Sequence, residues 1–257
     1  MKHGYTFLRT LSALILLMAS TLTWAYVEVD GICYNITGDA SVEVTSHYNS
    51  IPYNDELSDY KGDIVIPSTV TYDGKTYNVT RIGHFAFFGC SSLESINIPE
   101  SVTSIGSEAF RGCSSLTSIN IPESVTSNIG DYAFNGCSSL ESVNIPDGMT
   151  SSIGDYAFFG CSSLTSVVIG DGVTSIGDRA FRNCSSLESV VIGDGVTSIG
   201  QSAFQDCSSL ESVVIGYGQP DPQGHIHKGR KEGNAETGTL QSRGKRKTHQ
   251  YDKPRKP

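Results

Sequence analysis

Histidine is scarce in this chain of 257 residues, and the positions of the few present give no sign of catalysis. Of the six histidines, only His47 and His84 fall between residues 26 and 216. The chain also lacks a Gly-x-Ser-x-Gly segment, which presents a nucleophilic serine, and it lacks a His/Glu pair at metal-ligand spacing. We therefore predict that the protein is not an enzyme and that it uses no cofactor and no metal ion.

Long apolar runs are missing everywhere except near the amino terminus. Residues 11–22 form an apolar stretch that follows Lys2 and Arg9 and precedes a small-residue cleavage site at residues 23–25. This order is typical of a secretory signal peptide, and about a dozen apolar residues are too few to span a bilayer. No cysteine directly follows the cleavage site, which argues against a lipid anchor. We predict that residues 1–25 are a signal peptide and that the mature protein is secreted or displayed on the cell surface, with no membrane span.

Basic residues are few in the central part of the chain. Residues 26–216 contain 6 basic and 23 acidic residues, whereas residues 217–257 contain 10 basic and 4 acidic ones. The formal net charge of −9 therefore hides an acidic body and a basic tail. The basic run at residues 243–247 can attract acidic surfaces non-specifically, but nucleic acid is not an expected partner of an exported protein.

What the sequence does contain is an internal repeat of 23 or 24 residues. One cysteine marks each copy: Cys90, Cys113, Cys137, Cys161, Cys184 and Cys207. Residues 153–169 show the repeated phrase, Ile-Gly-Asp-Tyr-Ala-Phe-Phe-Gly-Cys-Ser-Ser-Leu-Thr-Ser-Val-Val-Ile. A period of this length marks a solenoid, in which each coil covers the apolar face of its neighbour.

Each coil contains two extended stretches joined by turns. Leu-x-x-Ile/Val-x-Ile predicts a short strand with inward-facing aliphatic residues, which Pro or Gly ends, and Val-Thr-Ser-Ile-Gly predicts a second one. Asp-x-Ala-Phe then predicts a short turn of helix, capped in three coils by Asp131, Asp155 and Asp178.

Two residue types recur at a constant phase and predict buried columns. The phenylalanines predict an aromatic column: Phe87, Phe110, Phe134, Phe158, Phe181 and Phe204. The cysteines predict a column of free thiols, because stacked coils hold their Cβ vectors parallel and fit a disulfide poorly. Disulfides between coils are the alternative.

We predict four parts along the chain, and the first is the signal peptide at residues 1–25. Residues 26–81 contain Asp30-Gly31 and Asp73-Gly74 between strand-forming residues, a signal for hairpins, and we predict that they form a β-rich cap. Residues 82–216 hold six coils. Residues 217–257 have almost no aliphatic residues, and we predict that they are disordered. The pattern stops abruptly at Tyr217, which indicates either an array cut short or an open edge that pairs with another chain.

The unit Ile-Gly-Asp-x-Ala-Phe-x-x-Cys-Ser-Ser-Leu-x-Ser-Val-x-Ile resembles the BspA-type leucine-rich repeat, in six tandem copies over about residues 82–216. Residues 29–34 and 62–67 also resemble the leaders of such proteins. The resemblance implies a repeat solenoid, namely a leucine-rich-repeat-like β-solenoid with short helical turns. It also implies an exported surface protein, of a kind found in Bacteroides-like bacteria and some mucosal protists and often linked to adhesion. The family has no catalytic motif to transfer.

Two columns of non-core strand residues are the candidate partner-binding face. They are Ser95, Ser118, Ser142, Ser166, Ser189 and Ser212, and beside them Asn97, Asn120, Asn144, Val168, Val191 and Val214. The columns predict a platform that is polar at one end and apolar toward the other, suited to protein contact. The alternative is that Ser, Thr and Val are simply good strand residues.

A column of carboxylates follows the strands: Glu100, Glu123, Asp147, Asp171 and Asp194. Stacked carboxylates can gather Ca²⁺ or can simply keep the surface soluble. The sequence favours solubility, because it lacks the dense Gly-x-Asp loops of calcium-binding β-rolls.

These features predict a non-enzymatic binding or adhesion module. Its expected partners are unidentified host or microbial surface or matrix proteins. The alternative is a structural matrix or filament unit that stacks through exposed terminal coils, with self-association at an uncapped carboxy-terminal coil. A carbohydrate-active enzyme on a β-solenoid is a third hypothesis.

Overall fold

The computed structural model describes residues 26–46 and 60–216. The predicted signal peptide, the predicted tail and His47 lie outside the described residues. The described part contains sixteen strands and no helix, so it contains no helix that could cross a membrane. The strands of the amino-terminal region are β1 (Val27–Val29), β2 (Ile32–Gly38), β3 (Ser41–Thr45), β4 (Gly62–Val65), β5 (Thr69–Tyr72) and β6 (Lys75–Ile82).

The remaining ten strands belong to the coils. They are β7 (Leu93–Asn97), β8 (Ser104–Ile105), β9 (Ser118–Ile119), β10 (Ser142–Ile145), β11 (Ser152–Ile153), β12 (Ser166–Ile169), β13 (Ser175–Ile176), β14 (Ser189–Ile192), β15 (Ser198–Ile199) and β16 (Ser212–Ile215).

The coils are joined by two parallel ladders. The first is a seven-stranded sheet in the order β16-β14-β12-β10-β9-β7-β4, which pairs equivalent residues of neighbouring coils, such as Ser166 with Ser189. The second continues from β8 to Ile129, which forms single parallel bridges with Ile105 and Ile153, and then into the β11-β13-β15 sheet. This arrangement confirms the predicted β-solenoid.

The amino-terminal region supplies the first strand of both ladders. Strand β4 pairs with β7 in parallel, and β6 pairs with β8 in the same way. The Tyr60 ring lies 4.9 Å from the Phe87 ring, where it covers the first residue of the aromatic column. The boundaries at residues 25, 81 and 216 stay predictions.

Both Asp-Gly hairpins are confirmed. Asp30 and Gly31 have φ angles of 50° and 81°, and they join β1 to β2 in antiparallel pairing. Asp73 and Gly74, with φ angles of 49° and 72°, join β5 to β6. Left-handed φ at both central residues is the geometry of the two-residue turn that Asp-Gly favours.

The aromatic column is confirmed as the centre of the core. Ring centroids of successive phenylalanines lie 5.0–5.3 Å apart, with interplanar angles of at most 10°. The first five rings, Phe87 to Phe181, are fully buried, and Phe204 is partly buried in the last coil. Inward-facing Leu, Ile and Val residues of the strands fill the space around the column.

The predicted helical turn in each coil is wrong. Residues 155–160 form a series of tight turns, in which the N–H of Phe159 donates to the oxygen of Tyr156 at 3.1 Å. Tyr156 has a φ of 55°, outside the right-handed helical range. The N–H of Phe158 donates to the oxygen of Ala180 in the next coil at 2.7 Å, so bonding between coils replaces bonding within a helix.

The predicted aspartate caps also act between coils. The Asp155 carboxylate accepts the N–H of Asp178 at 2.7 Å, and the Asp178 carboxylate accepts the N–H of Gln201 at 2.6 Å. Each aspartate therefore binds the backbone of the following coil and not that of its own coil.

Candidate binding face

The outward-facing residues of the seven-stranded sheet, from β4 to β16, form a continuous surface that we name the strand face. The predicted serine column lies on it in direct register, since Ser95 pairs with Ser118, and Ser118 with Ser142. The pairing continues through Ser166 to Ser212. In β10, exposed Ser142 and Asn144 alternate with buried Val143 and Ile145, which sets the columns outside and the aliphatic residues inside.

The Asn/Val column lies two residues further along each strand. Asn144 pairs with Val168, Val168 with Val191, and Val191 with Val214. The asparagines Asn97, Asn120 and Asn144 are exposed, and the three valines are half-buried. The structure thus places eleven of the twelve candidate residues on strands of the strand face, and Asn120 is exposed directly after β9.

Strand β4 adds one residue to the start of each column, which was not predicted from the sequence. Asp63 pairs with Ser95, whose hydroxyl donates to the Asp63 carboxylate, and Val65 pairs with Asn97. The Val65 side chain is 68% exposed, so the second column begins as well as ends with an apolar residue. The segment Ile64-Val65-Ile66-Pro67 repeats the Ile96–Pro99 pattern of the first coil, which is the signal that would have revealed it.

Exposed carboxylates lie along both sides of the strand face. The leading border, just before the serines, consists of Glu94, Glu141, Glu188 and Glu211. The trailing border, just after the strands, consists of Glu100, Glu123, Asp147, Asp171 and Asp194. The tight turns before each cysteine, at residues 155–160 and the equivalent positions of the other coils, are named the turn segments. The three basic residues of segment 83–216 lie in them: Arg111, Arg179 and Arg182. The strand face is therefore flanked by negative charge.

Part of the trailing border holds the backbone of the next coil. The Asp147 carboxylate accepts the N–H of Asp171 at 3.2 Å, and the Asp171 carboxylate accepts the N–H of Asp194 at 3.0 Å. Across residues 26–46 and 60–216, no group of three or more His, Cys, Asp and Glu residues has the arrangement of a metal site. His84 has a structural contact, because its Nδ1 accepts the N–H of Ser107 at 3.0 Å.

A second surface feature, also missed from the sequence, runs along the turn segments. The rings of Tyr132 and Tyr156 stack at 4.7 Å, Arg111 lies 5.7 Å from the centroid of Tyr132, and Arg179 lies 5.4 Å from that of Tyr156. Arg179 also donates to the Tyr156 hydroxyl at 2.7 Å. We name these four residues the arginine–tyrosine ladder. Because neighbouring groups cover the ring faces, the ladder presents mainly ring edges to solvent.

The six repeat cysteines form a column of free thiols, as predicted, and all but the half-buried Cys207 are buried. Each thiol from Cys113 to Cys207 donates to the phenylalanine carbonyl oxygen of the preceding coil, at 3.1–3.3 Å. Burial raises the pKa of the Cys161 thiol to about 12. A buried thiol with a raised pKa is a poor nucleophile, so the column is part of the core.

The repeat matches a known family. A sequence model described as the BspA type leucine-rich repeat region matches residues 74–152 and 127–219, in six copies. The chain belongs to the BspA-type leucine-rich repeat family. No curated protein matches this leucine-rich repeat protein.

Solved structures agree with the family. The leucine-rich repeat protein of Treponema pallidum is 31% identical over 76% of this chain and 88% of its own, with a TM-score of 0.61. A leucine-rich cell surface protein of Faecalibacterium prausnitzii is 30% identical, with a TM-score of 0.54, over 74% of this chain. The match covers 54% of the F. prausnitzii chain, so this leucine-rich repeat protein spans about half of that relative's length.

A pneumococcal vaccine antigen, PcpA, shares the fold at 20% identity and a TM-score of 0.56. Family membership supports a repeat module of the protein-interaction type, from a family whose relatives include a cell surface protein. Such repeats are typically non-enzymatic scaffolds with extended binding surfaces.

Proposed function

We propose that this protein is an exported, non-enzymatic adhesion module that binds host or microbial surface proteins through its strand face. The observation that carries the proposal is the strand face itself. It has seven strands in register, two columns of accessible side chains, and a valine series at its carboxy-terminal end.

The composition of the strand face suits a protein partner. The half-buried series Val168, Val191 and Val214 offers apolar area, and the serine and asparagine columns offer hydrogen-bond donors and acceptors around it. Protein interfaces combine an apolar centre with a polar rim in this way. Because the side chains repeat from coil to coil, a partner gains area along the whole array.

Binding of the full mature chain to a panel of purified matrix and bacterial surface proteins tests this proposal. The variant Val168→Glu/Val191→Glu places charge in the apolar series, and we expect it to weaken binding by at least tenfold, about 1.4 kcal/mol. The matched control Asn135→Glu/Gln205→Glu adds the same charge in the turn segments and should bind normally. An equal loss in both variants would contradict the proposal, and so would absence of binding to every panel member by both the wild type and a variant with a neutralised tail, Lys245→Gln/Arg246→Gln/Lys247→Gln.

A second function, self-assembly through the last coil, is favoured by a specific observation. Ile215 is 58% exposed, and Phe204 and Leu210 are only partly buried, whereas their equivalents one coil earlier, Phe181 and Leu187, are fully buried. The β1-β2-β3-β6-β5 sheet lies at the opposite end, so assembly of this kind would join carboxy-terminal coils in pairs. Light scattering over a concentration series tests it. A mass that stays monomeric throughout, in the wild type and in Ile215→Glu alike, excludes it.

A further inference from the structure

We propose that the basic segment of this chain, residues 217–257, docks across its own strand face between the two acidic borders. The inference rests on the proposed function, because it assigns a regulated state to the same binding surface. The tail is then a built-in competitor that an external partner must displace.

Charge complementarity is the first argument. The nine border carboxylates are exposed and lie on both sides of the strand face. The tail carries 10 basic and 4 acidic residues, with its densest basic run at Arg243–Lys247. Exposed Lys61 directly precedes β4 at the first end of the face, but no described coil residue supplies a cation to these borders, since Arg111, Arg179 and Arg182 lie in the turn segments. The strand face therefore has a strong charge imbalance, and the tail has the opposite one.

The dimensions of the strand face fit an extended basic segment. Glu188 and Asp194 are six residues apart along one coil, which limits the distance between them to at most about 20 Å. A backbone that runs along the solenoid between the borders can direct lysine and arginine side chains to either side. The serine and asparagine columns beneath it provide hydrogen-bonding groups, and serine and asparagine can both donate and accept.

The tail starts directly beside the strand face. Gly216 directly follows β16, the last strand of the strand face, beside Asp194 of the trailing border. Arg243 is 27 residues further along the chain. A 27-residue segment acting as a flexible linker would have a root-mean-square span of about 30 Å. Seven strands spaced by about 4.8 Å cover about 29 Å, so the basic run can reach every coil.

Each ion pair between the tail and a border carboxylate is weak. The tail stays near the strand face because it is covalently joined to the last coil. Exposed ion pairs contribute little individually, but a linker whose span matches the distance gives an effective concentration in the millimolar range. The docked state is therefore sensitive to salt and open to competition. A partner with more apolar area against Val168 and Val191 can replace the tail.

Carbodiimide cross-linking of the full mature chain, read by mass spectrometry, tests the inference. This reagent joins lysine amines to carboxylates in direct contact. We expect Lys245 and Lys247 to link mainly to border residues such as Glu141, Glu188 and Asp194. Exposed turn carboxylates, such as Asp131 and Asp155, are the internal control. The border links should fall at least fivefold between about 0.01 M and about 1 M salt, because the Debye length shrinks from about 30 Å to about 3 Å.

Two variants and one mixing experiment distinguish docking at the borders from non-specific linking and from docking of a second copy. Glu141→Gln/Glu188→Gln/Glu211→Gln should move links away from the leading border, and Lys245→Gln/Arg246→Gln/Lys247→Gln should reduce links to both borders from the remaining lysines. Equal linking to border and turn carboxylates would overturn the inference. In a mixture of ¹⁴N- and ¹⁵N-labelled protein, links between isotopes would also overturn it, because the occupant would then be a second copy.

The cross-linking result does not depend on any external partner, so the two proposals fail separately. If border links form but the Lys245→Gln/Arg246→Gln/Lys247→Gln variant binds no panel protein, the proposed function fails and docking stands. If the panel binds and the links are not confined to the borders, docking fails alone. If both hold, that variant should bind the partner at least threefold more tightly than the wild type.

Discussion

The thiol of Cys161 donates a hydrogen bond to the carbonyl oxygen of Phe134, one coil earlier, at 3.3 Å. This contact joins the two buried columns, because the sulfur of one coil satisfies a backbone acceptor beside the aromatic ring of the previous coil. The cysteines are therefore hydrogen-bond donors within the core as well as small apolar groups.

We expect the thiols of the native protein to be largely unreactive. Six of the seven cysteines are buried, and Cys207 in the last coil is half-buried. Titration with a thiol reagent should modify Cys207 first and should reach all seven after denaturation, without reductant. Absence of thiols in the denatured, unreduced protein would show that disulfides form instead.

Stability should fall at alkaline pH. Burial raises the pKa of the Cys161 thiol from 9.0 to about 12, so the folded state favours the neutral form. The stabilising contribution is complete below about pH 9 and is lost as the pH rises toward 12, by up to about 1.4 kcal/mol per pH unit for one such thiol. Urea unfolding between about pH 8 and pH 11 measures this slope. Cys161→Val should reduce the slope by the share of one thiol, because burial also raises the pKa of Cys137 and of other core groups, and an unchanged slope would contradict the assignment.

Removal of one ring from the aromatic column should be costly. Phe158 is fully buried between Phe134 and Phe181, and Phe158→Ala should lower the free energy of unfolding by about 3–5 kcal/mol. The neighbouring Phe159 is half-buried and contacts the Tyr156 ring at the surface, so Phe159→Ala should cost about 1 kcal/mol. Similar losses for the two variants in denaturant unfolding would show that the register of the column is incorrect.

A close approach between coils explains the glycine that follows each second strand. A Cβ atom on Gly177 would lie 2.6 Å from the carbonyl carbon of Gly154 and 2.7 Å from the nitrogen of Asp155. Gly177→Ala should therefore destabilise the protein by about 3 kcal/mol or prevent folding, because backbone atoms cannot move aside cheaply.

Gly160 provides the control for this prediction, because it is a glycine with open space around it. Gly160→Asn should change stability by less than about 0.5 kcal/mol, since Asn183 already occupies the equivalent position with a φ of 63°. Thermal unfolding compares the two variants. Tolerance of Gly177→Ala would show that the coils are further apart than the structure has them.

The arginine–tyrosine ladder should show energetic coupling. Arg179 stacks on the Tyr156 ring and donates to its hydroxyl, so the double-mutant cycle of Tyr156→Leu and Arg179→Met should give about 0.5–1.5 kcal/mol. Arg182 pairs with Asp206 instead, and the cycle of Tyr156→Leu with Arg182→Met should give a value near zero. Equal coupling in both cycles would remove the specific role of Arg179.

The sequence was sufficient to predict the parts of the fold that depend on burial. The constant phase of Phe158 and Cys161 identifies inward positions, and the same phase places Ser166 and Val168 outward, because alternate residues of a strand face opposite sides. The hairpins at Asp30-Gly31 and Asp73-Gly74 followed from local turn preference alone.

The turn at residues 155–160 could not be predicted in the same way. Asp-x-Ala-Phe suits a capped helix locally, but Phe158 and Tyr156 give their N–H groups to the next coil. This competition is decided by stacking, which leaves no local signal. Strand β4 was missed because it lies outside the cysteine-marked period, although residues 64–67 carry the strand pattern. The identity of a partner is not encoded in side chains that the repeat itself fixes.

The start of both ladders in the amino-terminal region gives the solenoid a direction of growth. Strands β4 and β6 offer their backbone hydrogen-bonding groups to the first coil, and each coil offers equivalent groups to the next. Gain or loss of a whole 23-residue unit would therefore change the length of the array without altering the strands from which both ladders start.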